Sequence, residues 1–200
     1  ALAGELKENK GQSLVISGTN DFYIQAAVNA INILLDNYGT TLDLSTPIFL
    51  KQGNDREMTR VVDEMNAGIV KALILYGINP VYDYVEPEKF INGLKKCELT
   101  VSFSETLDET SLLSDYVCPD NHYLESWNDA EPQKNNFSLA QPVINRIFNT
   151  RQAQESLLKW AGQETGFYEF ILAHWEKEIF PKQSEFLSFI QFWNKSLQDG

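Results

Sequence analysis

The sequence predicts an α/β fold: an open, three-layer, mostly parallel sheet with a helical C-terminal extension. Short apolar runs alternate with segments of helical period, and turn residues follow the runs. Parallel strands joined by right-handed crossovers carry helices on both faces of the sheet, in a Rossmann-like arrangement. Ligands bind such sheets outside the carboxyl ends of the strands, so the loops after the strands are the candidate sites.

The first half of the chain predicts three strands and two long helices. Thr, Asn and Asp at 19–21 can cap the helix that follows, whose apolar residues recur at i, i+3 and i+4. The continuously apolar run at 72–76 is typical of a strand buried on both faces. In chain order, the predicted elements are a helical segment at 1–10, a strand at 13–18, a helix at 21–37, a short strand at 47–50, a helix at 55–67 and a strand at 72–76.

The second half adds further strands and helices, and its character changes at Pro132. One helix begins with Pro87 in its first turn and ends with two lysines, both favourable positions. This division predicts an α/β domain at 1–150 and a helical extension at 151–200. The predicted elements are a helix at 86–96, strands at 99–103 and 116–118 with a short helix at 107–113 between them, an extended segment at 137–147, and helices at 151–162, 165–179 and 184–197.

The last two predicted helices are rich in aromatic rings. Rings at helical spacing normally pack in a core, but these exceed what one buried stripe needs. We therefore expect a surface that another protein chain covers. The rings belong to Phe167, Tyr168, Phe170, Trp175, Phe180, Phe186, Phe189, Phe192 and Trp193.

Charge and composition exclude several classes of function. The chain has 16 Lys and Arg against 28 Asp and Glu, a formal net charge of −12, which disfavours nucleic-acid binding. No apolar run reaches the roughly 20 residues that span a bilayer, so direct membrane insertion is not expected. The hydrophobic content of 43% indicates a globular protein. The first residue is Ala1 and not Met, which suggests a piece of a longer protein.

Cysteine and histidine are too sparse to predict a metal centre. An iron–sulfur cluster normally needs four closely spaced cysteines, and this chain has only Cys97 and Cys118. Two buried thiols or a mutual disulfide are both open for this pair. His122 and His174 are remote from one another, and Glu125 alone does not complete a ligand set with His122.

Three loops at the predicted carboxyl edge are the candidate binding sites, and a structural role is favoured at each. The loop at 18–21 can present backbone N–H groups to an anion, but it lacks G-x-G-x-x-G and a Walker lysine. The loop at 77–80 has a Gly that ends a strand and an Asn-Pro turn. The loop at 104–109 crowds three carboxylates, which capping explains without acid–base catalysis. The candidate residues are Gly18, Asn20, Gly77, Asn79, Pro80, Glu105 and Asp108, and no catalytic residue is assigned.

A longer pattern resembles a known family. The T-E-T-x-x-x-A-D-x-x-L-P…E run of molybdopterin oxidoreductases is matched in order by Asp108-Glu109-Thr110, Ser114-Asp115, Cys118-Pro119 and Glu125. The earlier Gly77-Ile78-Asn79-Pro80 resembles that family's G-x-N-P loop, which lies near the pterin guanine dinucleotide. Two ordered matches are far more specific than either one alone.

One subfamily is more similar still. Residues 122–130 read His-Tyr-Leu-Glu-Ser-Trp-Asn-Asp-Ala, and residues 138–144 read Ser-Leu-Ala-Gln-Pro-Val-Ile. Both runs resemble the large iron–sulfur, molybdopterin-like subunit of alternative complex III, a quinol:electron-acceptor oxidoreductase. The resemblance implies a complex attached to the periplasmic face of the inner membrane, with haem c and polytopic membrane subunits as partners. The fragment itself is expected to be soluble.

The segment after Glu125 departs from the catalytic members of the family. Those enzymes continue into G-T-x-T-N-x-x-G-R, whereas residues 126–132 contain neither Gly nor Arg. In the subfamily the molybdopterin-like part carries no molybdenum cofactor, and the iron–sulfur clusters lie in a separate ferredoxin-like domain. We therefore expect this chain to hold no cofactor or metal and to be inactive alone, with iron–sulfur clusters only in the parent.

The resemblance thus predicts that the chain is a non-catalytic module from the large subunit of a respiratory quinol oxidoreductase and serves as scaffold and docking surface for electron-transfer partners. The first alternative is a cofactor-binding domain of a true molybdopterin oxidoreductase, whose loops share molybdopterin guanine dinucleotide with other domains. The second alternative is a free-standing module that binds a small molecule.

Overall fold

A computed structural model describes residues 1–50 and 52–200 and forms two compact units. The first unit contains the described residues up to 50 together with 131–137, and the second contains 52–130 and 138–200. The sequence-based boundary between residues 150 and 151 stays a prediction.

The first unit contains helices α1 (Leu2–Glu8) and α2 (Phe22–Leu34), as predicted. The carboxylate of Asp21 caps α2 by accepting a hydrogen bond from the Ile24 N–H at 2.9 Å. The short strand predicted at 47–50 is reduced to a single antiparallel bridge between Ile48 and Gln133.

The strand predicted at 13–18 is wrong, because a side chain takes the place of a strand partner. The Val15 N–H donates to Asn32 Oδ1 at 3.1 Å, and Asn32 Nδ2 donates to the Val15 carbonyl at 2.8 Å. Asn32 itself is buried, whereas the apolar side chains of Leu14 and Ile16 are exposed. The segment is therefore irregular and joins no sheet in the described part of the chain.

The second unit begins with α3 (Asp55–Asn66), whose N-cap is Asn54. The Asn54 side chain accepts hydrogen bonds from the backbone N–H groups of Arg56 and Glu57, at 3.1 and 3.3 Å. Gly68 ends the helix region with φ +72°, in the left-handed region that favours glycine. The predicted helix at 55–67 is confirmed.

A parallel three-stranded sheet follows, in the spatial order β1-β2-β3. Its strands are β1 (Ala72–Leu75), β2 (Leu99–Ser102) and β3 (Tyr116–Val117). Two short helices, α4 (Pro80–Asp83) and α5 (Pro87–Leu94), connect β1 to β2. The strands and helices of this unit confirm the α/β class.

Helices α3 and α5 cover one face of the sheet. Val62 and Met65 of α3 pack with Leu75 of β1 and with Phe90 and Leu94 of α5, and all five are buried. Such a cluster is the hydrophobic contact that holds a helical layer on a sheet. This layer fixes the carboxyl ends of β1 and β2.

The other face is covered only in part, so the expectation that β1 is buried on both faces is wrong. Val101 and Phe103 pack with Ala153 of a later helix. In contrast, Ile74 of β1 is 48% exposed. The reason is position: β1 is at an edge of the sheet, and the helical layer covers only its other face.

Between β2 and β3, the helix predicted at 107–113 is only a 3₁₀ turn at Ser111–Leu113. Side chains account for this, because the Asp108 carboxylate accepts from the Ser111 N–H at 2.7 Å. Residues after β3 form a 3₁₀ turn at Tyr123–Glu125 and a hairpin of β4 (Asn128–Gln133) and β5 (Asn136–Ala140). The extended segment predicted at 137–147 is thus a strand only as far as residue 140.

The chain ends in helices α6 (Ala153–Trp160), α7 (Phe167–His174) and α8 (Phe189–Asp199). After α7, a π-helical turn covers Trp175–Ile179 and a 3₁₀ turn covers Phe180–Lys182.

The aromatic rings of this region pack on one another. This corrects the expectation that they form a surface covered by another protein chain. Trp193 lies 5.7 Å from Trp175 and 6.2 Å from Trp127, measured between ring centroids. Trp175 and Trp193 are 1% and 4% exposed. The Trp175 indole N–H also donates to Asp129 at 2.9 Å. Phe167, Trp175 and Trp193 are therefore core residues of this part of the unit, whereas Phe170 is 47% exposed.

Candidate functional site

The carboxyl ends of β1 and β2 open into a cleft of about 550 Å³, within the size range of ligand sites. We call it the acidic cleft. The loops after the two strands build it, as the sequence predicts. Its lining residues are Tyr76, Gly77, Ile78, Asn79, Asp83, Phe103, Ser104, Glu105, Thr106, Asp108 and Asp120.

Asn79 ties the two loops together. Its Nδ2 donates to Glu109 Oε2 at 2.7 Å, and its Oδ1 accepts from the Thr110 N–H at 3.2 Å and the Thr110 hydroxyl at 2.6 Å. The Thr110 hydroxyl oxygen in turn accepts from the Val81 N–H at 3.0 Å. The hydrogen bond from Asn79 Nδ2 lowers the pKa of Glu109. The amide is thus engaged by the protein itself on both its oxygen and its nitrogen.

Asp108 organises the second loop. Its carboxylate accepts from the Ser104 hydroxyl at 2.8 Å and from the Ser111 N–H at 2.7 Å. Partial burial opposes ionisation of Asp108, but the hydrogen bonds outweigh burial and lower its pKa. A carboxylate held ionised in this way is suited to fixing a loop and poorly suited to accepting a proton as a general base at neutral pH.

Asp120 closes the cleft on the side of α6. Its carboxylate accepts from the Ala153 N–H, at the start of α6, and from the Asn121 N–H, both at 2.8 Å. Burial raises the pKa of Asp120, against the hydrogen bonds from these N–H groups and from Tyr76. The Tyr76 hydroxyl also accepts from Gln154 at 2.9 Å, which links the end of β1 to α6.

The cleft favours cationic or hydrogen-bond-donating groups over anions. Four carboxylates line it, and among the residues that the structure describes, no Lys or Arg does. A pyrophosphate would have to approach these carboxylates without a compensating cation, which is unfavourable at close range. Two of the four, Asp108 and Asp120, are already engaged with backbone N–H groups.

The structure brings five of the seven candidate residues together. Gly77, Asn79, Glu105 and Asp108 line the acidic cleft, and Pro80 is buried as the first residue of α4. Gly77 has φ +63°, as expected for a glycine that ends a strand in a turn.

Gly18 and Asn20 belong to the first compact unit. There, the irregular chain before α2 has open space around Gly18, since a Cβ at that position would meet no atom within 4 Å. Their role at a binding site stays a prediction.

Sequence reasoning missed Tyr76, Asp83 and Asp120 as cleft residues. Tyr76 ends the apolar run, so the sequence predicts a buried strand residue there. Asp120 follows Cys118-Pro119, so the sequence predicts a turn residue there. Their position in the sequence could have identified Tyr76 and Asp120, because each lies at or just after the carboxyl end of a strand. Their meeting depends on α6, which is distant in sequence.

The histidine and cysteine residues have structural positions. His122 caps the 3₁₀ turn: its Nδ1 accepts from the Leu124 N–H at 3.3 Å, and Glu125 accepts from the His122 N–H. Cys97 and Cys118 are free thiols, and burial, with the charge of Asp115, raises the pKa of Cys97. Within the described residues, no group of three potential ligands is placed to hold a metal ion, and no helix is both long and apolar enough to cross a bilayer.

Comparison with known proteins gives two partial matches. The molybdopterin-binding-like subunit of menaquinone reductase from Nitratidesulfovibrio vulgaris is 34% identical over 97 residues, which cover 46% of this chain and 14% of that protein. A tetrathionate reductase subunit from Archaeoglobus fulgidus is 41% identical over 73 residues, which cover 32% of this chain and 6% of that protein. No family model matches the chain. The matches thus span small parts of both relatives, and they support a relationship to the molybdopterin oxidoreductase family.

Proposed function

We propose that this chain is a non-catalytic, molybdopterin-oxidoreductase-like module from the large subunit of a respiratory quinol oxidoreductase, and that it serves as scaffold and docking surface for electron-transfer partners. The observation that carries the proposal is the acidic cleft. It occupies the carboxyl edge where the resemblance places a pterin guanine dinucleotide, yet carboxylates line it and its central amide, Asn79, is engaged by Glu109 and Thr110.

The partial matches support this reading. One relative is named a molybdopterin-binding-like subunit of a menaquinone reductase, which describes likeness to a cofactor-binding protein within a quinone-linked enzyme. By analogy, the parent of this chain belongs to an oxidoreductase in which other domains carry iron–sulfur clusters. The motifs at 122–130 and 138–144 favour the alternative complex III subfamily, with haem c and polytopic membrane subunits as partners at the periplasmic face.

The second relative favours the alternative, a cofactor-binding domain of a true molybdopterin oxidoreductase. The tetrathionate reductase protein is 41% identical over its matched part. In that case the loops at 77–80 and 104–109 would contribute to a shared cofactor. The carboxylate lining of the cleft disfavours the phosphate part of such a cofactor.

Metal and pterin analysis of the parent protein, purified from its native membranes, tests the proposal. We expect iron from clusters, no stoichiometric molybdenum or tungsten, and no pterin fluorescence after oxidative extraction. Mass spectrometry of the same preparation should find haem c and polytopic membrane subunits that copurify with it. Stoichiometric molybdenum and pterin would instead establish the cofactor-binding alternative.

A further inference from the structure

Four apolar side chains at the edge of the acidic cleft are open to solvent. Ile78 lines the cleft, and Tyr82 lies on α4 directly before the lining residue Asp83. Leu107 lies in the second loop that builds the cleft, and Leu112 lies in the 3₁₀ turn that follows this loop. We call these four residues the cleft rim. Each of their side chains is between 51% and 75% exposed.

Hydrogen bonds hold the segments that carry the cleft rim side by side. Asn79 joins its own loop to Glu109 and Thr110, and the Val81 N–H donates to the Thr110 hydroxyl oxygen at 3.0 Å. The rim is therefore presented by neighbouring segments, with α4 next to the start of the 3₁₀ turn. Single exposed apolar side chains are ordinary on a protein surface, whereas a group of them indicates a surface that binds another protein.

Two of the four carboxylates in the cleft are free to pair with an incoming group. The side chains of Asp83 and Glu105 are exposed and form no hydrogen bond or ion pair with any residue that the structure describes. Asp108 and Asp120, in contrast, already accept hydrogen bonds from backbone N–H groups. A free carboxylate beside an apolar contact gains a charge-assisted hydrogen bond from a Lys or Arg side chain.

The charge of the surrounding chain also favours a cationic partner. Residues 97–133 contain nine Asp and Glu and no Lys or Arg, although the whole chain has 16 basic residues. A surface of one sign attracts a partner of the opposite sign and repels a partner of its own sign. Charge complementarity therefore excludes a second copy of this acidic chain as the occupant and indicates a basic protein.

We propose that the acidic cleft and the cleft rim together dock a basic segment of a separate partner protein. A Lys or Arg side chain of this segment pairs with Asp83 and Glu105, and apolar side chains of the same segment pack on the rim. The apolar contact supplies affinity, and the charge supplies orientation and rate of association. This inference rests on the proposed function and deepens it, because it assigns the docking surface and the chemistry of the partner.

Carboxyl footprinting of the parent protein tests whether a partner covers this surface. The label is glycine ethyl ester coupled by a carbodiimide, and mass spectrometry locates it. We compare the parent polypeptide expressed alone with the same polypeptide in the complex purified from native membranes. Asp83 and Glu105 should be labelled in the polypeptide alone and should lose the label in the complex. Equal labelling in both would overturn the proposal, and protection in the polypeptide alone would show that another part of the parent is the occupant.

A double charge variant tests the pairing. Asp83→Asn with Glu105→Gln should slow association of the parent with the copurifying subunits about ten-fold at low salt, and high salt should remove the difference. The matched control is Glu176→Gln with Glu185→Gln. It removes two charges from exposed positions outside the cleft and should leave the association rate unchanged. Biolayer interferometry measures the rates.

An apolar variant tests the cleft rim. Leu107→Ser should speed dissociation of the complex about ten-fold, because it removes apolar contact area. Leu187→Ser, at a position that is 98% exposed, is the matched control and should have no effect. Circular dichroism establishes that each variant is folded.

The outcomes separate this inference from the proposed function. Equal association rates for the two charge variants, or equal dissociation rates for the two serine variants, would overturn the docking surface. Stoichiometric molybdenum and pterin in the parent would overturn the proposed function. An exposed cleft in a complex that lacks molybdenum and pterin would overturn the docking surface alone.

Discussion

Asn79 shows how much one side chain can fix at the end of a strand. Its amide joins the turn after β1 to Glu109 and to the buried Thr110. The family resemblance points to this residue as a cofactor contact, whereas the structure uses it as a tether between two loops. At the scale of single residues, the loops at the carboxyl edge are therefore connected by side chains that the sequence predicts as ligand contacts.

We expect Asn79→Ala to destabilise the protein by about 1–3 kcal/mol, because it leaves the N–H and hydroxyl of buried Thr110 without their acceptor. Urea unfolding measures the change. The control is Asn128→Ala, an exposed position whose side chain accepts a hydrogen bond from the next backbone N–H and bonds no other described residue. This variant should change stability by less than about 0.5 kcal/mol. Equal effects of the two variants would contradict the tether.

The carboxylates Asp108 and Asp120 should contribute to pH dependence with opposite signs. The pKa of Asp108 is lowered from 3.8 in the folded state, so its contribution to stability is full above pH 3.8 and is lost as pH falls through the folded pKa. The pKa of Asp120 is raised from 3.8, so the folded state retains its proton longer, and stability declines as pH rises from 3.8 through the folded pKa.

Urea unfolding from about pH 2 to about pH 7 checks both signs with Asp108→Asn and Asp120→Asn. The stability difference between wild type and Asp108→Asn should grow as pH rises. The stability difference between wild type and Asp120→Asn should instead move in favour of the variant as pH rises. The amide oxygen of the variant can still accept the hydrogen bond from the Ala153 N–H. If stability changed with pH in the same way in both variants, the hydrogen bonds to Asp108 and the burial of Asp120 would not be the cause of the pH dependence.

At the scale of elements, the close approach of α3 and α5 depends on one glycine. A Cβ at Gly93 of α5 would lie 2.8 Å from Met65 Cβ and 2.9 Å from Asn66 Nδ2 of α3. Both helices are amphipathic and share the cluster around Leu75. The missing side chain at Gly93 therefore sets how closely this helical layer packs, and through it the position of the loop after β1.

We expect Gly93→Ala to cost about 1–3 kcal/mol, the range for overpacking a close contact, although alanine is the better helix former. Gly4→Ala in α1 is the matched control, since a Cβ there meets nothing within 4 Å, and it should be neutral or stabilising. Thermal and urea unfolding measure both. A neutral Gly93→Ala would mean that the two helices can separate without loss.

At the scale of the whole molecule, charge is distributed unevenly. The net charge is −12, yet two neighbouring clefts on the second unit have opposite lining charges, carboxylates in one and two arginines in the other. Phe103 lines the first of these clefts and Trp160 the second, and their ring centroids are 5.6 Å apart. The carboxylate lining of the acidic cleft accounts for the proposed loss of a dinucleotide at the carboxyl edge.

The aromatic core around Trp193 decides whether the C-terminal region folds with the rest of its unit. We expect Trp193→Ala to cost about 3–5 kcal/mol, the range for deleting a large buried ring. The exposed Leu187, 98% accessible, is the control, and Leu187→Ala should change stability by less than about 0.5 kcal/mol. Hydrogen exchange should find slow amides through α8 in a protein that stays monomeric. Rapid exchange there would restore the interface that the sequence predicts.

Local patterns in the sequence were sufficient for several elements. The helices α2 and α3, the Asp21 cap of α2 and the glycine turn at Gly77 follow from residues within one or two turns. The strands at 72–76 and 99–103 follow from short apolar runs, and parallel pairing then places their loops at one edge. Hence four of the eleven residues that line the acidic cleft, Gly77, Asn79, Glu105 and Asp108, were candidates from the sequence.

Only the tertiary structure decided what these elements meet. Asn32 replaces a strand partner for Val15, 17 residues away, and α6 brings Ala153 and Gln154 to Asp120 and Tyr76 at the acidic cleft. Propensity and periodicity report on neighbours in sequence, whereas burial, strand pairing and the charge of a cleft depend on residues that are distant in it. For that reason the sequence by itself determined the α/β elements and their loops, and the folded chain determined which side chains are occupied and which are available to a ligand.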